Sequence, residues 1–119
     1  MQKEAVTRHI AVRAGRGVML VRPTEVDWIE AADNYVRLHC GRVTHIIRTT
    51  LGEVEARLEW AGFLRLHRSA VVNVDRVKSI QPWFRGDLRV VLLDGTELTL
   101  KRQYRAAFEG RLLLGSVGR

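Results

Sequence analysis

Along most of the chain, apolar and polar residues alternate with a period of two, the pattern of strands that bury one face. Val26 to Ala31 and Tyr35 to Cys40 read as strands, the second with Val36, Leu38 and Cys40 on one face and Tyr35, Arg37 and His39 on the other. Gly41 and Arg42 make a two-residue connection into Val43 to Arg48, the spacing of an antiparallel hairpin. Ile10 to Arg13, a turn at Gly15 to Gly17 and Val18 to Val21 predict a further hairpin near the N-terminus. Val71 to Ile80 is rich in β-branched residues, Leu88 to Leu93 is a short apolar run, and Asp94-Gly95 is a type I′ turn signal into Thr96 to Leu100.

Two segments break this period. Thr50 with Glu53 forms a capping box, Leu51, Val54 and Leu58 recur at helical spacing, and Gly62 is placed to end the segment, so Leu51 to Trp60 reads as a helix. Tyr104, Phe108 and Leu112 mark a second helix after Arg102, running toward Leu114 and Gly115. Tyr104, Phe108, Trp28 and Trp60 are expected in the core, whereas Trp83, Phe84 and Arg85 before Gly86 read as an exposed turn. The expected fold is mostly β with two short helices. The domain is expected over residues 8–114, with 1–7 and 115–119 as flexible ends.

Composition narrows the class. A chain of 119 residues with 46% hydrophobic residues and 2 Pro can close one core and is not a disordered chain. Its single cysteine, Cys40, makes neither an internal disulfide nor a Cys-rich zinc site, which points to a reducing compartment, the cytoplasm by default. The N-terminus is polar and no stretch approaches a span of apolar residues, so no signal peptide and no membrane insertion are expected.

Charge is the stronger signal. Twenty cations against 13 anions give a net charge of +7, which calls for an anionic partner. Seventeen of the 20 cations are arginine, whose planar fork matches phosphate or a guanine edge, although a GC-rich genome produces the same bias. Residues 1–63 hold nine cations and eight anions, while residues 64–105 hold nine cations and four anions. The partner surface is therefore expected mostly in the second part.

A helix-turn-helix is excluded, because some forty strand-rich residues separate the two helices. The first helix also carries Glu53, Glu55 and Glu59, which would repel a phosphate backbone. Recognition must come from loops or strand ends. The densest candidate is Phe63 to Asn73, in which His67, Arg68 and Ser69 form a polar turn between two buried strands. His67 and Arg68 offer donors to a phosphate or to guanine N7 and O6; alternatively, His67 only shapes the turn through a hydrogen bond to a neighbouring carbonyl.

No enzymatic site is expected. The four His and Cys40 are scattered, and His39, Cys40 and His45 on facing strands lack a fourth metal ligand. There is no Gly-rich phosphate loop or nucleophile elbow, and Ser69 beside His67 makes no triad by adjacency. No cofactor and no metal are anticipated. Two other readings remain open: a small β-barrel binding RNA or single strands, for which only Tyr35 and Trp83 are available for stacking, and a basic interaction module sequestered by an acidic or membrane-anchored inhibitor.

Phe63 to Val77, FLRLHRSAVVNVDRV, and Val26 to Leu38, VDWIEAADNYVRL, resemble the LytTR-type DNA-binding domain, and the likeness runs from about Ile10 to Leu114. Both segments at the right separation, followed by Asp94-Gly95 and Lys101-Arg102, are more specific than either alone. The resemblance implies an elongated fold of small antiparallel sheets and a bacterial transcriptional regulator, the effector domain of a response regulator. In the family, loops and strand ends enter successive major grooves of promoter DNA across the intervening minor groove, usually at direct repeats, with a second copy on the adjacent half-site.

Carried over, the implied contacts are Asn34 and Tyr35 after the Ile29 to Ala31 strand, His67 and Arg68 in the signature turn, and Lys101 and Arg102 before the last helix. Asn34 suits adenine N6 and N7, Arg68 and Arg102 suit guanine, and Lys101 suits phosphate as a mobile point charge. Asp33 is expected to shape its loop, and Asn73 to satisfy backbone groups in a bend. Two departures stand out, Lys101 where the family commonly has Ser and Ala70 where it often has a larger residue. Many relatives carry a receiver domain ahead of this module, whereas nine residues precede Ile10 here. A stand-alone regulator and a module of a longer one fit equally, with any receiver domain or inhibitor partner outside this chain.

Overall fold

The structure, a computed structural model, describes residues 8–115. Of the ends expected to be flexible, residues 1–7 and 116–119 lie outside that range. The strands are β1 (Ile10–Ala14), β2 (Gly17–Val21), β3 (Trp28–Ala32), β4 (Tyr35–Cys40) and β5 (Val43–Ile47), then β6 (Phe63–His67), β7 (Ala70–Asn73), β8 (Val77–Pro82), β9 (Leu88–Leu92) and β10 (Glu97–Leu100). Helix α1 (Leu51–Leu58) separates β5 from β6, and α2 (Arg102–Glu109) follows β10. Neither described helix is long and apolar enough to cross a membrane.

Every strand pairing is antiparallel, in three open sheets: β1-β2, β10-β9-β8 and β5-β4-β3-β7-β6. The outline is elongated, 56 × 39 × 26 Å. None of the sheets closes on itself, so the barrel alternative does not describe this chain.

Alternation along β6 and β7 sends side chains into two different cores. Phe63 and Val71 join Ile29, Val36, Leu38 and the apolar stripe Leu51, Val54 and Leu58 of α1. Leu64, Leu66, Ala70 and Val72 join Leu88, Val90, Leu92, Leu100 and Phe108 on the opposite face. A strand buried on both faces reads as a continuous apolar run, which is why this segment lacks the clean polar alternation of its neighbours. Helix α1 begins as its capping box predicts, with the Thr50 hydroxyl accepting from the Glu53 amide at 3.1 Å.

The β-branched run of 71–80 is not one strand. It breaks in a short 3-10 turn over Val74–Arg76, which passes the chain from the five-stranded sheet to the three-stranded one. Asn73 makes the break possible. Buried at 2% exposure, it donates from Nδ2 to the Val26 carbonyl at 2.9 Å and accepts the Asp75 amide on Oδ1 at 3.0 Å. Asp94-Gly95 also departs from expectation: of the two only Gly95 has positive φ, at 93°, so the connection is a longer one between Leu92 and Glu97 rather than a type I′ turn.

Among the aromatics, Phe108 is buried and Tyr104 packs at the edge of the second core. Trp28 packs there too and stacks on His39, with ring centroids 4.2 Å apart. Trp60 is not in the core but 52% exposed. Helix α1 ends at Leu58, before the 3-10 turn Glu59–Ala61, and position 60 lies about 200° round from Leu58 at helical spacing, on the face away from the buried stripe. Asn73→Leu, which keeps the volume but removes both hydrogen bonds, is expected to lower unfolding free energy by about 2–3 kcal/mol, measured as a shifted urea midpoint at unchanged m-value.

Candidate nucleic-acid interface

Strand register decides where the loops fall. The Ala31 amide donates to the Ser69 carbonyl at 2.9 Å, so the β3–β4 tip and the β6–β7 tip are neighbours at one end of the five-stranded sheet. The Lys101 amide donates to the Leu66 carbonyl at 2.9 Å, which brings the β10–α2 junction beside that same end of β6. All three segments singled out in the sequence therefore share one end of the molecule. From β4 to β6 is three strand spacings, roughly 14 Å at about 4.8 Å each, and Lys101 and Arg102 extend the row further.

At the first tip, Asp33 turns the chain with φ of 57°, a left-handed conformation that Asp tolerates better than most residues. Asn34 is thereby exposed, and Tyr35 is half-buried as the first residue of β4.

The second tip is held from inside by a residue the sequence reading did not single out. The Arg65 guanidinium donates through Nε to the His67 carbonyl and through Nη2 to the Arg68 carbonyl, both at 2.8 Å, and through Nη1 to Glu55 Oε1 on α1 at 2.7 Å. A register irregularity between Arg65 and His67 adds one residue to β6 and bends it into the turn. His67 Nδ1 accepts the Ser69 amide at 3.1 Å. Burial, then the nearby Lys101, Arg65 and Arg68 charges, push the imidazole below its ordinary pKa of 6.5, so the ring is neutral at pH 7. The turn-shaping role of His67 is thus real, through a backbone amide rather than a carbonyl. It leaves Nε2 uncommitted. Arg68 is exposed, and no carboxylate of the described residues pairs with it.

Asp87 organises the third segment. Lys101 occupies the N-cap position of α2 without a side-chain cap, and Asp87 Oδ1 supplies one across the fold by accepting the Arg102 amide at 2.8 Å. Its other oxygen holds the Lys101 ammonium at 3.2 Å. Lys101 is therefore an ion-paired residue and not the free point charge that the sequence suggested. The hydrogen bond from the Arg102 amide, with help from the Lys101 and Arg102 charges, holds the Asp87 carboxyl below the usual carboxylate range. The Arg102 stem lies over Gly86, where an added Cβ would come within 2.9 Å of Cδ. Gly86 also has φ of 88°, so two constraints select glycine there.

The remaining candidate chemistry disperses. Register opposes His45 to Leu38, so His45 shares the Leu38 and Cys40 face of the sheet while His39 lies on the other. No three His, Cys, Asp or Glu side chains converge as a metal would require among the described residues.

The sequence matches the family described as the LytTr DNA-binding domain over residues 16–113. It is 28% identical over 95 residues to the sensory transduction protein LytT of Bacillus subtilis, covering 80% of this chain and 39% of that protein. It is 33% identical over 70 residues to the transcriptional regulatory protein LytR of Staphylococcus aureus, covering 57% of this chain and 28% of that one. The chain thus spans about two fifths or less of the length of these relatives. In fold it is similar to a LytTr DNA-binding domain from Bacillus cereus, with a TM-score of 0.78 at 24% identity over 87% of this chain and 95% of the other.

Two outcomes follow from the tip geometry. Arg65→Met keeps the aliphatic stem but strips the His67 and Arg68 carbonyls of their donors; a loss of about 1–3 kcal/mol is expected, with faster amide exchange at Ser69 than at β3 residues. In an NMR titration, His67 is expected to protonate below pH 6.5. Since its folded pKa lies under the unfolded value, its contribution to stability is complete above about 6.5 and falls away as the pH drops toward the folded midpoint.

Proposed function

The chain belongs to the LytTr DNA-binding domain family, and from that membership and the convergence of the three tips we propose that it reads double-stranded DNA through Asn34, Tyr35, His67, Arg68, Lys101 and Arg102 as part of a bacterial transcriptional regulator. The observation that carries the reading is the placement of Arg68 and Arg102, two exposed guanidinium groups without a carboxylate partner among the described residues, at the same end of the fold as the exposed amide of Asn34.

The row of tips, roughly 14 Å before its last member, is comparable to the width of one major groove, about 12 Å, and is shorter than the helical turn of about 34 Å that separates successive major grooves. Arg68 and Arg102 have the fork that matches guanine N7 and O6, and Asn34 the paired donor and acceptor that match adenine. Lys101, tied to Asp87, contributes less to affinity than its charge suggests and positions the start of α2. Tyr35 backs the Asn34 loop, and the Nε2–H of His67 reaches a phosphate or a purine acceptor. Binding at direct repeats, with a second copy on the adjacent half-site, fits a module whose contacts lie at one end.

A mobility-shift series with double- and single-stranded DNA tests this. With about five phosphates neutralised, log affinity for duplex should fall against log salt with a slope near −4 to −5. Arg68→Ala and Arg102→Ala should each cost roughly 1–3 kcal/mol and relax base preference, whereas Lys78→Ala, on exposed β8, should weaken all sequences alike or not at all. Equal losses on selected and random duplex for both arginine variants would remove base reading from them; preference for single strands would replace the duplex assignment.

A further inference from the structure

We propose a second, sequence-independent phosphate grip outside the three tips, formed by Arg13 of β1 and Arg48 just beyond β5, which holds the sugar-phosphate strand flanking the bases met by Asn34. The inference rests on the duplex-binding reading above.

Arg13 and Arg48 line an open groove of about 850 Å³ together with Asn34, Tyr35, Ile46 and Ile47. The register explains the neighbourhood. Val36 pairs with Ile47, so the next residue, Arg48, lies at the Tyr35 end of the sheet, the end that carries the tips. Both arginines are exposed, and no carboxylate of the described residues pairs with either.

Other exposed cations, Arg42 and Lys78 among them, share that freedom, and what sets this pair apart is the groove between them. Arg37, Arg57, Arg65, Arg76, Arg89, Lys101, Arg105 and Arg111 all have acidic partners. Among the described acids of the first half, Asp33 stands at the β3–β4 tip beside Asn34 and Glu30 meets Arg37 and His39, while the others are placed away from the pair. Glu53, Glu55 and Glu59 pair with Arg57, Arg65 and Arg111, while Glu25 and Asp27 line a different groove beside Gly41, at the far end of β4. Two guanidinium forks on either side of exposed Ile46 suit a chain of alternating phosphates and sugars: the forks take phosphate oxygens and the isoleucine faces a sugar. Such contacts set register and affinity but carry no base information.

Fluorescence anisotropy of the full chain on a duplex selected from a random pool, and on a random duplex of equal length, across a salt series, tests the grip. The R13A/R48A variant is expected to lower the salt slope by nearly 2, at about 0.9 per phosphate, and to weaken both duplexes by the same factor, leaving their ratio unchanged. R13K/R48K, which retains both charges, is expected to keep the wild-type slope, which separates a lost contact from a lost fold. R42A, an exposed arginine at the β4–β5 turn some six residues of strand away, is expected to leave the slope alone. A wild-type slope in R13A/R48A overturns the grip while leaving duplex reading intact. So does an equal fall in R42A, which would mean net charge alone, or a change in the ratio of the two duplexes. If the unaltered chain binds neither duplex, the reading beneath fails and the grip with it.

Discussion

The β6–β7 hairpin is buried on both faces, and the rest of the fold depends on that. Phe63 and Val71 close one core against α1 and β3–β4, while Leu64, Leu66, Ala70 and Val72 close the other against β8–β10 and α2. Neither core is complete without it. Burying a Val, Leu or Phe side chain is worth about 1.5–3 kcal/mol, so the six shared residues commit more free energy to this hairpin than any single hydrogen bond supplies. Small domains ordinarily own one core; here two smaller ones are coupled through a pair of strands, which gives an elongated body without a flexible joint.

From that constraint follows the local order of the end that carries the three tips. The hairpin emerges from between two cores with only His67, Arg68 and Ser69 outside, and its carbonyls are pinned from the inside by Arg65, which Glu55 in turn holds. Asp87 does the same for the start of α2. Cations here divide into those turned inward to hold backbone and those left outward with open forks. Ordering the turns during folding, rather than on contact with a ligand, spares the binding step that entropy.

Much of this was legible because local patterns agreed with the fold. Period-two alternation located the strands of the first hairpins, the capping box placed the start of α1 at Leu51, and the polar turn at His67 to Ser69 stood out against apolar flanks. What escaped depended on partners distant in sequence. Asp87 caps a helix fifteen residues away, and nothing near it signals that. Lys101 looked like a free charge for the same reason. Arg65 did leave a trace, since it alternates in register with buried Phe63, and an arginine aimed inward needs internal acceptors. The break at Asn73 was hidden by β-branched residues on both sides, which suit two short strands as well as one long one. Trp60 went wrong because its size and apolarity were weighed above its helical phase, which sets it opposite Leu51 and Leu58.

The neutral imidazole of His67 has a directional consequence. With Nδ1 consumed by the Ser69 amide, the ring has a proton to give at Nε2 and no lone pair to offer. It is matched to an edge built of acceptors, such as guanine O6 and N7, and mismatched to the exocyclic amines of cytosine and adenine. A fold that fixes one tautomer has thereby fixed the polarity of one hydrogen bond before any partner arrives.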